Sequence, residues 1–159
     1  MKLSVSMITF QGASYLKAQM DSILGQSIPV QEIIVCDDGS TDGTREILAT
    51  YAAEYPQIQL YFNEKNLGTV ANMQQCLRKT TGDLIFLADQ DDVWLPSKVE
   101  KTRAFFQENP EADAVFSNAD IIDEVGETQF GMTLWDIIGF PYGQVELADF
   151  ESRVDNVVT

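Results

Sequence analysis

Aspartates gather at two places in this 159-residue sequence, and each group directly follows a short apolar run. The segment Asp37-Asp38-Gly39-Ser40-Thr41-Asp42 follows IIVC, and the segment Asp89-Gln90-Asp91-Asp92 follows LIFLA. In extended backbone, residues two apart project to the same side, so Asp89 and Asp91 can face one point. Two convergent carboxylates repel each other, whereas a hard divalent ion such as Mg²⁺ or Mn²⁺ accepts the pair and adds water and phosphate oxygens. The second segment therefore predicts a cation site that could anchor a nucleoside diphosphate.

Each acidic segment also has a plain structural explanation. The second can be a solvated turn whose charges favour the positive end of the next helix. The Asp-Gly pair of the first can be a turn corner, with Ser40 or Thr41 capping the next helix. A calcium-binding loop over Asp89–Glu100 is excluded because Trp94 stands where that loop needs glycine. A turn does not explain two adjacent aspartates at a strand end, and the apolar run before Asp89 favours the functional interpretation.

The composition limits the chemistry that these carboxylates can join. The sequence has 25 acidic and 10 basic residues, a net charge of −15, and no histidine. Without imidazole, a Ser-His-Asp triad, a Cys-His pair and histidine-ligated zinc are excluded, and catalysis must rest on carboxylates, hydroxyls and backbone. A strongly acidic protein repels phosphate backbones and anionic lipid headgroups, so we expect no nucleic acid polymer as a partner. A small phosphorylated ligand would need a bridging cation.

Cysteine usage and hydropathy predict a soluble, cytoplasmic chain. Cys36 and Cys76 lie in apolar surroundings without CxxC spacing, which indicates buried reduced thiols. The amino-terminal run is interrupted by Ser4, Ser6 and Thr9, which is typical of a strand rather than a signal peptide. No apolar run approaches the roughly 20 residues that cross a bilayer.

The elements that must position the acidic segments follow an alternating α/β pattern. Short β-branched runs alternate with helix-period segments, as in βαβ units on a parallel sheet. Open α/β sheets bind ligands at the carboxyl ends of their strands, where both acidic segments fall. The predicted strands are Leu3–Thr9, Glu32–Cys36, Gln59–Phe62 and Leu84–Ala88, and the predicted helices are Ala13–Leu24, Gly43–Glu54, Thr69–Thr80 and Ser97–Glu108.

The last third of the sequence carries weaker signals. Ala112–Ser117 is predicted as a fifth strand, and Ile121–Glu127 as a strand that turns at Glu124-Val125-Gly126. From about Phe130 the periodicity is lost, which predicts a loop with short helical pieces. The sequence has no P-loop or dinucleotide-binding glycine motif, so a P-loop NTPase and a Rossmann dehydrogenase are not expected.

Five stretches carry a family resemblance. In order, they are SVSMITFQGASYLKAQMDSILGQS, EIIVCDDGSTDGT, NEKNLGTVANMQQCL, TGDLIFLADQDDVWLPSKVE and AVFSNADIIDEVG. Together they resemble the nucleotide-binding half of family 2 glycosyltransferases, whose GT-A fold is a Rossmann-like, mostly parallel sheet flanked by helices. The resemblance implies a nucleotide-sugar-binding α/β domain over residues 1–127, and at 128–159 an incomplete start of the acceptor-side region.

The resemblance also implies roles for individual residues. Asp38 would hydrogen-bond a pyrimidine base, Asp91 would bind the metal, and Asp89 would contact the ribose region and share the metal. Gly68 and Asn72 would border the nucleotide, although Gly68 is equally explained as a loop hinge and Asn72 as a helix-surface amide. The donor-binding set is Thr9, Phe10, Asp37, Asp38, Asn66, Gly68, Asn72, Asp89 and Gln90, while Gln11 replaces the usual Asn and is expected to reach a different backbone partner.

The function implied is that of an inverting glycosyltransferase in bacterial cell-surface polysaccharide biosynthesis, with Mg²⁺ or Mn²⁺ as cofactor. It would transfer a hexosyl or deoxyhexosyl group from a dTDP- or UDP-sugar to a saccharide or lipid-linked acceptor. The run ADQDDVWLP is similar to that of the bacterial rhamnosyltransferase-like branch of the family, which implies dTDP-rhamnose as the donor. No catalytic residue is expected within the chain, because the family's base lies in a half expected beyond Thr159. The chain would then be part of a longer protein that could work at the inner face of the membrane. Val154, Val157 and Val158 predict self-association through an exposed edge.

Two other functions are weighed against this one. The chain can be a non-catalytic module that binds a nucleotide or nucleotide-sugar, which the lack of a candidate base favours. An aspartyl phosphatase would need its DxD after the first strand, together with a lysine, whereas that strand ends in Thr9-Phe10-Gln11-Gly12.

Overall fold

A computed structural model describes residues 1–123 and 125–139 of the chain. It divides into two units, the first being Met1–Arg103 and the second beginning at Ala104, so the boundary predicted after residue 127 falls inside the second unit. The first unit is built on a four-stranded parallel sheet with the order β3-β2-β1-β4. The elements are β1 (Leu3–Thr9), α1 (Leu16–Leu24), β2 (Glu32–Asp37), α2 (Thr44–Glu54), β3 (Ile58–Phe62), α3 (Thr69–Leu77), β4 (Leu84–Ala88) and α4 (Lys98–Glu108).

The two central strands, β1 and β2, are buried along their whole length. On one face of the sheet, Val5 and Met7 belong to a core with the buried side chains of α1, including Met20. On the other face, Ile8 packs in a smaller core with Cys76 of α3. Each fully buried apolar side chain of this size contributes about 1.5–3 kcal/mol. Both cysteines are buried and unbridged, as predicted.

The strand register brings the acidic segments to one edge of the sheet. β1 pairs with β2 as far as Thr9 and Asp37, and β1 pairs with β4 as far as Met7 and Ala88. The segments after β2 and β4 therefore leave the sheet on either side of the end of β1. That edge is where open α/β sheets bind ligands.

The predicted elements of the first unit are all present, with ends shifted by at most three residues. The predicted capping of α2 by Ser40 or Thr41 is wrong. The helix begins at Thr44, and the preceding residue is Gly43, whose φ of 100° leaves no side chain in the capping position. Ser40 instead donates its backbone N–H to Asp37 Oδ1 at 3.0 Å.

The second unit departs from the sequence prediction at its first strand. Residues 112–117 form neither helix nor strand and belong to neither of the two sheets that the described residues form. An antiparallel pair follows, β5 (Asp120–Ile122) and β6 (Thr128–Thr133), which turns where predicted and leads into α5 (Leu134–Ile138). From Phe130 the sequence predicts a loop with short helical pieces. The short helix α5 agrees with it, and the strand β6 departs from it. The three valines expected to mediate self-association lie outside the described residues. Among the described helices, none has both the length and the hydropathy needed to cross a membrane.

Candidate nucleotide and cation site

An open cavity of about 370 Å³ lies at the carboxyl ends of β1, β2 and β4, beside the start of α3. It brings together residues from segments that are up to 83 positions apart in the sequence, so only the fold can assemble it. All lining residues except Ile8 and Thr69 were named in the sequence analysis. The lining consists of Ile8, Thr9, Phe10, Asp38, Asn66, Thr69, Asn72, Asp89, Gln90 and Asp91.

Asp37, expected to bind the donor, does not line the cavity. It is fully buried, and its Oδ1 accepts a hydrogen bond from Arg45 Nε at 2.6 Å while its Oδ2 accepts one from Thr9 Oγ1 at 3.0 Å. Burial alone would raise the pKa of Asp37, but hydrogen bonds from Ser40 and Arg45 hold it below the ordinary value. The first aspartate of the segment is therefore an ionised anchor beneath the site. Its oxygens are taken by the protein, which leaves the neighbouring aspartate to face a ligand.

Asp38 lines the cavity and also fixes the loop before α3. Its Oδ1 accepts hydrogen bonds from Asn63 Nδ2 at 2.9 Å and from Leu67 N at 2.8 Å, and its Oδ2 accepts one from Gly68 N at 2.9 Å. An ionised carboxylate offers about four acceptor positions. One position, on Oδ2, therefore remains for a hydrogen-bond donor in the cavity. Gly68 enters the site through its backbone N–H and does not line the cavity.

Asn72 is buried, so its interpretation as a helix-surface amide is wrong. Its Nδ2 donates to Cys36 O at 2.8 Å, and its Oδ1 accepts from Asn63 Nδ2 at 3.0 Å. Gln75 Nε2 in turn donates to Asn63 Oδ1 at 2.8 Å. This chain of amides orients Asp38 and the start of α3. Asn63 is its central member, and no motif in the sequence singled it out.

Asp89 and Asp91 both lie on the cavity wall after β4. The alternation expected of extended backbone is not what places them there, because residues 90 and 91 form a turn and Gln90 lines the same cavity. Burial and the nearby charge of Asp91 raise the pKa of Asp89, and burial together with Asp89 and Asp91 raises the pKa of Asp92. Among the described residues, none donates a hydrogen bond to Asp89 or Asp91. No set of three or more metal-binding side chains occurs in that part of the chain. Two unsatisfied carboxylates still fit Mg²⁺ or Mn²⁺, since such ions take one or two protein carboxylates and complete their shell with phosphate oxygens and water.

A family model described as Glycosyl transferase family 2 matches residues 4–152 of the chain. The chain belongs to glycosyl transferase family 2. Among its relatives, EpsE of Bacillus subtilis, named as a glycosyltransferase, is 38% identical over 126 residues, covering 79% of this chain and 45% of the relative. TuaG of Bacillus subtilis, named as a teichuronic acid biosynthesis glycosyltransferase, is 36% identical over 106 residues, covering 65% of this chain and 42% of the relative. The chain thus spans less than half the length of these relatives.

Solved structures show the same fold. S. aureus TarS 1-349 in complex with UDP is 27% identical, with a TM-score of 0.62 over 68% of this chain and 32% of TarS. The mannosyltransferase PcManGT from Pyrobaculum calidifontis, in complex with GDP-Man and Mn²⁺, is 22% identical, with a TM-score of 0.62 over 77% of this chain and 36% of PcManGT. The predicted GT-A fold is confirmed by these likenesses.

The loop after β1 connects the two acidic segments of this family 2 chain. Gln11, with a φ of 52°, accepts a hydrogen bond on its side-chain oxygen from Thr41 N at 2.7 Å, while its own N–H donates to Ser40 Oγ at 2.9 Å. The backbone partner expected for Gln11 is thus Thr41. The sequence analysis did not name Arg45, Asn63 or Gln75, although all three support the site. Arg45 had one available signal, since it is the only basic residue within the twenty positions after Cys36.

Proposed function

We propose that this chain binds the nucleoside-diphosphate-sugar donor of a glycosyltransferase with the help of a divalent cation. The observation that supports the proposal is the single cavity that joins Asp38, at the end of β2, with Asp89 and Asp91, at the end of β4. Asp38, which would accept a hydrogen bond from the base, and the pair Asp89 and Asp91, which would bind the cation, thus lie on opposite sides of the carboxyl end of β1. A nucleoside diphosphate lying across Thr9 and Phe10 would reach both.

Each side of the cavity has a chemical task in this proposal. The remaining acceptor position of Asp38 Oδ2 takes an N–H of a pyrimidine base, with Asn66 and Asn72 beside it. Asp89 and Asp91 hold Mg²⁺ or Mn²⁺, which neutralises charge on the departing diphosphate. The cation is required because the lining contains no basic side chain and the chain has a net charge of −15. TarS, solved with UDP, and PcManGT, solved with GDP-Man and Mn²⁺, support a nucleotide-sugar donor and a divalent cation as the ligands.

For the whole protein we propose inverting transfer of a hexosyl or deoxyhexosyl group to a saccharide or lipid-linked acceptor in polysaccharide biosynthesis, at the cytoplasmic side of the membrane. TuaG and its teichuronic acid name support the pathway class. We assign the base that deprotonates the acceptor to a residue outside the cavity lining, because the three carboxylates there already serve the nucleotide or the cation. A dTDP-sugar, dTDP-rhamnose in particular, and UDP-sugars are the donors to compare.

The test is calorimetric titration of the chain with UDP, dTDP, GDP and ADP, each with Mn²⁺ and with EDTA. We expect tightest binding of a pyrimidine diphosphate, and only in the presence of Mn²⁺. Asp113→Asn is the matched control, because it removes one exposed carboxylate outside the cavity lining. Equal affinities with Mn²⁺ and with EDTA would contradict the cation role.

A non-catalytic nucleotide-binding module is the second candidate, favoured by the absence of an unassigned carboxylate on the cavity wall. Donor binding alone does not separate it from an enzyme. Incubating a longer protein that contains this chain with donor and acceptor, followed by mass spectrometry of the acceptor, separates the two.

A further inference from the structure

The side chain of Gln90 spans from the end of β4 to the loop after β1. Its Oε1 accepts a hydrogen bond from Phe10 N at 2.8 Å, and its Nε2 donates to Phe10 O at 2.9 Å. One amide thus satisfies both the donor and the acceptor of a single backbone residue. This is the pair of bonds that a neighbouring strand would otherwise supply.

The position of this contact explains why a side chain has to make it. Backbone pairing of β1 with β4 stops at Met7 and Ala88. Beyond that point the two chains separate around the cavity, and the Gln90 amide is the link between their ends. The three consecutive residues Asp89, Gln90 and Asp91 all line the cavity, so the link lies between the two carboxylates proposed to bind the cation.

Gly12 leaves the space that the Gln90 side chain occupies. A Cβ atom at Gly12 would lie 2.1 Å from Gln90 Oε1 and 2.4 Å from Gln90 Cδ. Such distances are impossible, so any larger residue at position 12 would displace the amide. The φ of Gly12 lies outside the left-handed region, so alanine is compatible with the local backbone. The glycine is therefore required for space and not for conformation.

We propose that Gln90 is a positioning residue that holds Asp89 and Asp91 toward the cavity. It does so through its two hydrogen bonds to the backbone of Phe10, which we call the clasp, and Gly12 leaves the space that the Gln90 amide needs. This inference rests on the proposed function, since it concerns the same cation site. The predicted contact of Gln90 with the donor stays a prediction beside this role, because Gln90 also lines the cavity. Without the clasp, the two repelling carboxylates are free to turn apart.

The test is a double-mutant cycle with Gln90→Ala, Gly12→Ala and the double variant. The readout is the ratio of nucleotide affinity in Mn²⁺ to that in EDTA, measured with the tightest of UDP, dTDP and GDP. We expect Gln90→Ala to lower the ratio about tenfold, the effect of losing two hydrogen bonds of modest net value. Gly12→Ala should lower it similarly, and the double variant should be no worse than either single variant, because the clash needs both side chains. Gln107→Ala, an exposed glutamine of α4, is the matched control.

Amide hydrogen exchange of Phe10, followed by NMR without ligand, tests the clasp independently of nucleotide binding. Exchange should speed up in Gln90→Ala and in Gly12→Ala, and stay unchanged in Gln107→Ala. If Gln90→Ala lowers the melting temperature but leaves the Mn²⁺-to-EDTA affinity ratio unchanged, Gln90 is only a structural contact and the proposal is overturned. It is also overturned if the losses in the affinity ratio of the two single variants add up in the double variant. If the wild type shows no cation-dependent binding, the proposed function fails and the positioning role fails with it, whereas the Phe10 exchange rates still report whether the clasp exists.

Discussion

Replacing Asp38 by asparagine separates its two tasks, holding the loop before α3 and facing the nucleotide base. The carboxylate accepts hydrogen bonds from Asn63, Leu67 and Gly68. An amide has one oxygen and one NH₂ group, so it can keep the bonds from Asn63 and Leu67 but turns its NH₂ toward the N–H of Gly68. The Gly68 N–H keeps its second acceptor, Asn66 Oδ1 at 2.9 Å, so the substitution removes one half-buried hydrogen bond and costs about 0.5–1.5 kcal/mol. We therefore expect Asp38→Asn to lower the free energy of unfolding by about that amount in urea titrations.

The same substitution removes the acceptor position that faces the cavity. A pyrimidine base that donates its N3–H to Asp38 Oδ2 loses its partner, which costs a further 1–3 kcal/mol, or about five- to 150-fold in affinity. ADP has no N–H at the corresponding ring position and reports only the damage to the loop. Calorimetry with UDP, dTDP and ADP in Mn²⁺ measures the difference, with Asp113→Asn as the control for charge. Equal losses for UDP and ADP would refute the base contact and leave Asp38 as a purely structural residue.

Three further predictions follow from charges that the fold shifts. Burial and the charge of Asp91 raise the pKa of Asp89, so the ionised carboxylate destabilises the unliganded fold. Asp89→Asn should therefore raise the melting temperature in EDTA at pH 7. This gain should shrink as the pH falls through the raised pKa toward 3.8, the ordinary pKa of aspartate. Hydrogen bonds from Lys2, Ser4 and Thr81 outweigh the burial of Glu32 and lower its pKa to about 2. Ionised Glu32 therefore contributes its full stabilisation of the fold above pH 4.5, and this contribution is lost as the pH falls toward 2. Glu32→Gln should therefore cost about 2–3 kcal/mol in urea titrations at pH 7, and much less at pH 3. Arg45→Met leaves Asp37 buried without its ion pair, so it should lower the melting temperature by more than Arg78→Met does. Arg78 is the control because it belongs to none of the described ion pairs. Similar shifts for the two variants would contradict the anchoring role of Asp37.

The sheet of the first unit was predictable because β2 contains the continuous apolar run IIVC, while β1 alternates apolar residues with Ser4 and Ser6, and both strands are bounded by polar segments. The fold class brings the carboxyl ends of neighbouring parallel strands together, so the meeting of the two acidic segments was predictable. The other predicted lining residues, Thr9, Phe10, Asn66 and Asn72, were implied by the family resemblance. Two adjacent aspartates look alike in sequence, and only the structure distinguishes them: Asp37 pairs with Arg45, whereas Asp38 lines the cavity. Donor binding by Asp37 stays a prediction. The roles of Asn63 and of the Gln90 amide depend on partners 25 and 80 positions away, which no local pattern reveals. The strand expected at 112–117 had suitable β propensity but no described partner, and propensity alone does not form a strand.

The central claim is that Asp89 and Asp91 bind a divalent cation through which a nucleoside diphosphate is held. Its most direct test is calorimetry of UDP and dTDP binding to the wild type and to Asp91→Asn, each with Mn²⁺ and with EDTA. We expect Mn²⁺ to strengthen nucleotide binding to the wild type at least tenfold. This gain should disappear in Asp91→Asn, while the weak affinity measured in EDTA stays unchanged or becomes slightly higher. A wild type that binds equally well in EDTA, or an Asp91→Asn variant that keeps its response to Mn²⁺, would contradict the claim.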